Sequence, residues 1–334
     1  MEAWKKRLHG DPTPWLLESE EPWTRYRTEI DLLETPVDSP ELTKTKNEIL
    51  KHPKTKQLIK EASGWLPVAP GRNSDPTISY YKLRMLTDFG FSQKDPGISG
   101  IIKKAIEHKE NSLFAVRGAP PERAKKGEKY QKPDSKADVW HISPCTSPII
   151  TYSLLSSGFE SPDVKQSVSA LKDLWPTEKG WFCHYFFVNS QFKKLNAGCP
   201  MAGLMTLEVF SQIPHLKESE YAQNAFSPLE FHWKHKKTIY YFGRSKKFWT
   251  LKYPFVWYNA LYLADVLTKF DFLKKHKMVQ EIIDWVESSQ DGEGRFKPTS
   301  IFMPYKSWSF GNKKEPSPWV TFLCCRILKR WYGN

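Results

Sequence analysis

Residues 253–296, YPFVWYNALYLADVLTKFDFLKKHKMVQEIIDWVESSQDGEGRF, decide the fold. The first part, YPFVWYNALYLADVL, is apolar nearly all round; KMVQEIIDWVESS carries a single apolar stripe at helical spacing. A helix apolar on every side has to be buried, whereas one with a single stripe packs at a surface. The stretch therefore predicts an inner helix, a short turn at Asp-Phe, an outer helix, and a small-residue turn ending on an aromatic.

The same order recurs upstream. YYKLRMLTDFGFSQKDPGISGIIKKAIEHKENSLF (80–114) and CTSPIITYSLLSSGFESPDVKQSVSALKDLWPTEKGWF (145–182) repeat it, with Asp, Ser and Pro in SQKDPG and ESPD placed to cap second helices. CPMAGLMTLEVFSQIPHLKESEYAQNAFSPLEFHW (199–233) is a copy with a looser turn, and SPWVTFLCCRILKRW (317–331) supplies a last helix. First helices are predicted to begin near Tyr80, Cys145, Cys199, Tyr253 and Pro318, 54 to 65 residues apart. That period is too long for tetratricopeptide or ankyrin units and suits long helical hairpins. Buried first helices and striped second helices predict two concentric layers, closed as a toroid or open as a solenoid. The expectation is an all-α single domain over 1–334, with an N-terminal helical segment (1–64), a long loop or lid at RGAPPERAKKGEKYQKPDSKAD (117–138), and a closing C-terminal helix (314–334).

A chain of 334 residues, 40% hydrophobic and 26% charged, can bury a substantial core and has a folded rather than a disordered composition. MEAWKKRLHGDPTPW has charges and no apolar stretch, so no secretory signal is expected, and the most apolar run, YPFVWYNALYLADVL, is too short to span a bilayer. With five cysteines, an odd count, the expectation is reduced thiols in the cytoplasm. The net charge of +13 attracts polyanions, nucleic acid among them, although no nucleic-acid motif is present; lysine-rich solvated faces account for the same charge.

QDGEGRF (290–296) is similar to the Q-x-x-x-G-x-W turn of terpenoid cyclases, with Phe296 in place of Trp, and EKGWF (178–182) looks like a shorter version. With GDPTPWLLESEEPWTRYRTEIDLL (10–33) and KEPSPWVTFLCCRILKRW (314–331), the chain resembles the α/α-toroid superfamily of squalene–hopene cyclases and prenyltransferase β subunits. Within it, the uncharacterised single-toroid proteins of prokaryotes are the nearest in pattern. The resemblance implies a cavity for an isoprenoid or other hydrophobic small molecule. It does not carry over the cyclase acid, because no Asp-x-Asp-Asp motif exists here, nor the prenyltransferase zinc ligands. Asp88 and Asp265, near the ends of inner helices, are candidate general acids, a satisfied polar helix end being the alternative.

In a toroid all inner helices begin at one end, which would gather Cys145 and Cys199; Cys183 lies in the connection between them. With His141, four residues before Cys145, they form a candidate Cys3His site for zinc, since thiolate and imidazole suit that ion. His184, His232 and His235 are alternative fourth ligands. The separations match no compact zinc signature, so ordinary packing of buried thiols competes with the metal reading. Cys324 and Cys325, mid-helix, are expected to pack only. Tyr80, Tyr81, Tyr253, Trp257, Tyr258 and Trp319 are candidate cavity-lining aromatics, or else a plug for the centre. The leading expectation is a hydrophobic-ligand protein; as an enzyme it would be metal-assisted, of terpenoid-cyclase, prenyltransferase, lyase or transferase type. The competing one is a helical scaffold whose basic face docks a polyanion.

Overall fold

The structure, a computed structural model, describes residues 2–68, 70, 74–118, 138–143, 145–175, 198–235 and 242–333. In chain order its elements are α1 (Thr13–Leu17), α2 (Pro22–Asp31), α3 (Pro40–Lys51), α4 (Pro53–Ser63), α5 (Ser79–Asp88), α6 (Ile98–Ala105), β1 (Lys109–Glu110), β2 (Leu113–Phe114), β3 (Val116–Gly118) and β4 (Val139–His141). They continue with α7 (Ser147–Ser156), α8 (Pro162–Asp173), α9 (Pro200–Phe210), α10 (Pro214–Lys217), α11 (Glu220–His235), α12 (Ala260–Leu267), α13 (Lys277–Ser288) and α14 (Pro318–Tyr332). The chain is thus mostly helical, as expected. Two antiparallel ribbons, β1–β2 and β3–β4, are additions that the all-α expectation lacked.

Two compact units emerge: Met1–Ile59, Met85–Phe91 and Ser245–Asn334 form the first, and Lys60–Arg84 with Ser92–Arg244 the second. In the first, α2 packs on α3 and α14, and α12, α13 and α14 pack on one another. Every residue of α12 is buried, and α14 is buried along most of its length. Helix α13 buries only the stripe Met278, Val279, Ile282, Ile283 and Val286, as its sequence pattern predicts. The unit's centre is a set of touching rings. Trp23 stacks on Phe89 with centroids 4.9 Å apart, and Trp319 meets Phe89 edge-on at 5.0 Å and Tyr253 at 5.5 Å. Phe310 and Tyr253 are 5.0 Å apart, and Phe255 stacks on Tyr262 at 4.7 Å.

The QDGEGRF turn locks this unit to its own N-terminal segment. Gln290 accepts from the His9 amide at 2.7 Å and donates to the Arg7 carbonyl at 3.1 Å. Asp291 accepts from the amides of Glu293 and Arg295, both at 2.9 Å, and so shapes the turn. Gly294 has φ +74°, and a Cβ there would run into the carbonyl of Gly10, so two backbones touch at this point. Phe296 is fully buried; its amide donates to Thr321 at 2.8 Å and its carbonyl accepts from Ser317 at 2.9 Å, which ties the turn to the start of α14.

In the second unit α7 packs on α8 and α9, and α9 on α11. All of α9 is buried, as are Ser147 to Leu154 of α7, whereas α8 buries only Val164, Ser167 and Leu171. Helix α9 approaches α11 to backbone distance at Gly203, where a Cβ would collide with the carbonyl of Ala225. Trp175 donates to Thr206 at 3.1 Å and anchors the end of α8 on α9.

Helix starts agree with the expectation where a cap precedes proline. Ser161 and Ser317 accept from the amides of Val164 and Val320 at 3.2 and 3.3 Å. Two starts differ. The helix expected near Tyr253 begins at Ala260, because Asn259 accepts from the Tyr262 amide at 3.0 Å and caps there, which leaves Tyr253, Trp257 and Tyr258 in the preceding loop. Helix α6 is capped by Gly97 at φ +85°, while Asp95 instead accepts from the Ser92 amide at 2.6 Å and closes the turn. The segment expected as a loop over 117–138 starts inside β3 and runs up to β4; residues 119–137 lie outside the described residues.

Candidate thiol site at the helix starts

The part of α5 up to Arg84 belongs to the second unit, together with α7. Near their starts the Tyr80 phenol lies beside Cys145 and Thr146. About one turn further along, the Arg84 guanidinium lies 5.4 Å from the centre of the Tyr152 ring. Arg84 also pairs with Glu208 in the last turn of α9.

Cys145 sits in the turn that opens α7, half-buried, its sulfur 3.7 Å from the Ser143 hydroxyl. Ser143 bonds Thr146 at 3.0 Å, and its amide donates to Ser147 at 3.1 Å, so hydroxyls fix the thiol's turn. Cys199 is the N-cap of α9 and is buried; Pro200 follows in the position where its missing N–H costs nothing. His232, on α11, meets the Gly198 carbonyl at 2.9 Å, immediately before Cys199. Burial pushes its pKa down to about 4, so the ring is neutral at physiological pH and Nε2–H is the donor to that carbonyl. The Tyr80 phenol is buried, which raises its pKa well above the usual tyrosine range, a rise to which Cys145 adds.

Of the expected ligands, His141 lies in β4, paired with Val116, rather than in a free loop, and its Nδ1 faces the Ile142 carbonyl at 3.0 Å. Cys183 and His184 lie outside the described residues. His235 bonds the Phe231 carbonyl at 2.8 Å and stacks on that ring. Among the described residues no three His, Cys, Asp or Glu side chains gather closely enough to hold a metal ion. Cys324 and Cys325 are buried in α14, and burial raises both thiols far above their ordinary pKa, which keeps them protonated.

Tyr80 and Tyr81, both buried, belong to the second unit, with ring centroids 4.6 Å apart. Tyr253 and Trp319 lie within the first unit's ring cluster; Tyr258 is buried beside the half-buried Trp257, 5.2 Å away. Both candidate acids have partners. Asp88 ends α5 and accepts from the Tyr253 hydroxyl at 3.0 Å. Asp265 is buried, which acts to raise its pKa, but Arg326, Lys269 and Arg330 outweigh that and hold it well below the ordinary carboxylate range. It is ionised at neutral pH and has no proton to give, which removes it as a general acid.

One buried pair, Arg84 with Glu208, escaped the sequence reading. Its signal was present on one side: Glu208 is the lone charge of the otherwise apolar PMAGLMTLEVF helix, and a charge that deep needs a partner. Among the described residues no helix is long and apolar enough to cross a membrane. Compared with known proteins, the chain matches no family model and no curated protein.

Proposed function

We propose that the chain is an α/α toroid of helical hairpins that receives a hydrophobic small molecule of isoprenoid type. In this reading Cys145, Cys183 and Cys199, with His141, hold a zinc ion at the end where the inner helices begin. What supports it is one observation: Cys145 lies two residues before α7 and Cys199 is the N-cap of α9, two buried helices that pack together, although 54 residues separate the thiols. A helix N-terminus favours anionic groups, so thiolates placed there suit a dication. His232, held neutral against the carbonyl before Cys199, orients that turn rather than ligating the ion. Bound zinc would supply Lewis acidity toward an oxygen of the ligand or activate a water. With no Asp-x-Asp-Asp motif and Asp265 locked among cations, acid-initiated cyclisation is not part of the proposal; prenyltransferase-like or metal-dependent lyase or transferase chemistry is.

Elemental analysis of the purified protein tests the site. About one zinc per chain is expected, retained in Cys325→Ser and lost in Cys199→Ser. Equal metal in the two variants overturns the assignment. The net charge of +13 supports a second reading, docking of a polyanion. That reading requires affinity that falls steeply with salt.

A further inference from the structure

Lys252 stands out among the part-buried lysines. Lys5, Lys82 and Lys269 each face a carboxylate, Asp11 at 2.9 Å, Glu61 at 2.9 Å and Asp265 at 3.6 Å respectively. The Lys252 amine instead lies 3.6 Å from the centre of the Phe302 ring, and it makes no ion pair or hydrogen bond with the described residues. The backbone on either side is fixed. The Leu251 amide donates to the Thr299 hydroxyl at 2.9 Å, and the Thr299 amide donates to the Leu251 carbonyl at 3.1 Å. Two chain segments are thereby clamped side by side, with the amine of one over the aromatic ring of the other.

Two effects act on that amine. Burial disfavours the ammonium and lowers its pKa below the ordinary lysine value, and no neighbouring charge contributes. The ring face attracts the ammonium, by about 0.5–2 kcal/mol for such contacts, with phenylalanine weaker than tryptophan. The ring therefore holds the amine in place, while the missing carboxylate leaves it easier to deprotonate than a paired lysine.

We propose that Lys252 is a covalent capture site for an apolar aldehyde, its amine forming an imine beside the Phe302 ring. The neutral amine adds to the carbonyl carbon, a C–N bond forms, and loss of the carbonyl oxygen as water leaves C=N. No oxidant or reductant is needed. The proposal goes beyond the thiol site, which belongs to the other unit, and rests on the hydrophobic-ligand reading only for the ligand's apolar character.

The test uses the full chain with citral, a branched apolar aldehyde, and in parallel glyoxylate, a polar one, each with cyanoborohydride to reduce the imine to a stable secondary amine. Peptide mass spectrometry then compares labelling at Lys252 and at the exposed Lys51. Excess citral labelling at Lys252 is expected, and it should decline less than that of Lys51 as pH falls from mildly alkaline to neutral. The excess should vanish in Lys252→Arg, whose unchanged thermal melt shows that it folds. Labelling at Lys252 no greater than at Lys51 overturns the proposal. Preferential labelling by glyoxylate overturns the apolar class. Zinc content is read separately, so a failed metal site and a failed lysine site remain distinguishable.

Discussion

Replacing Asp265 by Asn removes one charge from a buried cluster and leaves its partners in place. The carboxylate is 2% exposed and faces Arg326 at 2.8 Å, Arg330 at 3.0 Å and Lys269 at 3.6 Å; Arg326 also reaches Asp31 at 3.3 Å. Three cations would then share a poorly hydrated site with one carboxylate fewer. Breaking a buried pair in this way costs about 3–5 kcal/mol. In a body of this size each kcal/mol moves Tm by about 2–4 °C, so the variant should melt roughly 6–20 °C below wild type at neutral pH.

The pH dependence gives a second check. The folded-state pKa of Asp265 is depressed, so its contribution is complete above the unfolded value of about 3.9 and fades as pH falls below it. The gap between wild type and variant should therefore narrow in acid. Scanning calorimetry at several pH values measures both effects. Glu34→Gln, which alters the exposed Lys329 pair, should leave Tm nearly unchanged and serves as the control. A neutral-pH difference below about 2 °C, or a gap that persists undiminished into acid, refutes the argument that this cluster is a buried ion network.

Three further outcomes follow from the packing and titration described. Gly203→Ala should destabilise by about 1–3 kcal/mol, because the new Cβ meets the Ala225 carbonyl, even though alanine is the better helix former. Gly100→Ala on α6, where a Cβ meets nothing, should instead stabilise by up to about 1 kcal/mol; denaturant unfolding of the two variants compares them, and equal signs would contradict the close approach of α9 and α11. Glu21 is buried, which raises its pKa against the hydrogen bonds from Ser309 and the charge of Lys54. Its ionised form is therefore penalised above the folded pKa, and wild type should gain Tm relative to Glu21→Gln as pH falls toward about 4, opposite in sign to Asp265.

What the sequence revealed depended on how local the cause was. Striped helices such as α8 and α13 were legible because one face repeats every 3.6 residues, and starts were legible where serine precedes proline, as at Ser161 and Ser317. The start of α12 was not, because YPFVWYN continues the apolar run and conceals the Asn259 cap within it. The ribbons β1–β2 and β3–β4 are two or three residues per strand, shorter than any periodicity can register. At the thiol site, Cys145 and Cys199 stood out as cysteines opening repeats. The placement of Tyr80 against Cys145 joins residues 65 positions apart and follows from packing alone.

The clasp between Gly10 and Gly294 bears on the order in which the protein is made. Residues 60–84 and 92–244 form the second unit almost without interruption, so it can condense while the ribosome is still working. The first unit cannot. Helices α1 and α2 emerge well before Gln290, Phe296 and α14, which complete their surroundings. At about 5–20 residues per second, α2 waits roughly 14–55 s for the Trp308 ring and for α14, with the side of Trp23 that meets Trp308 uncovered. Apolar surface exposed in that interval is prone to aggregate, and a slowed ribosome lengthens its exposure.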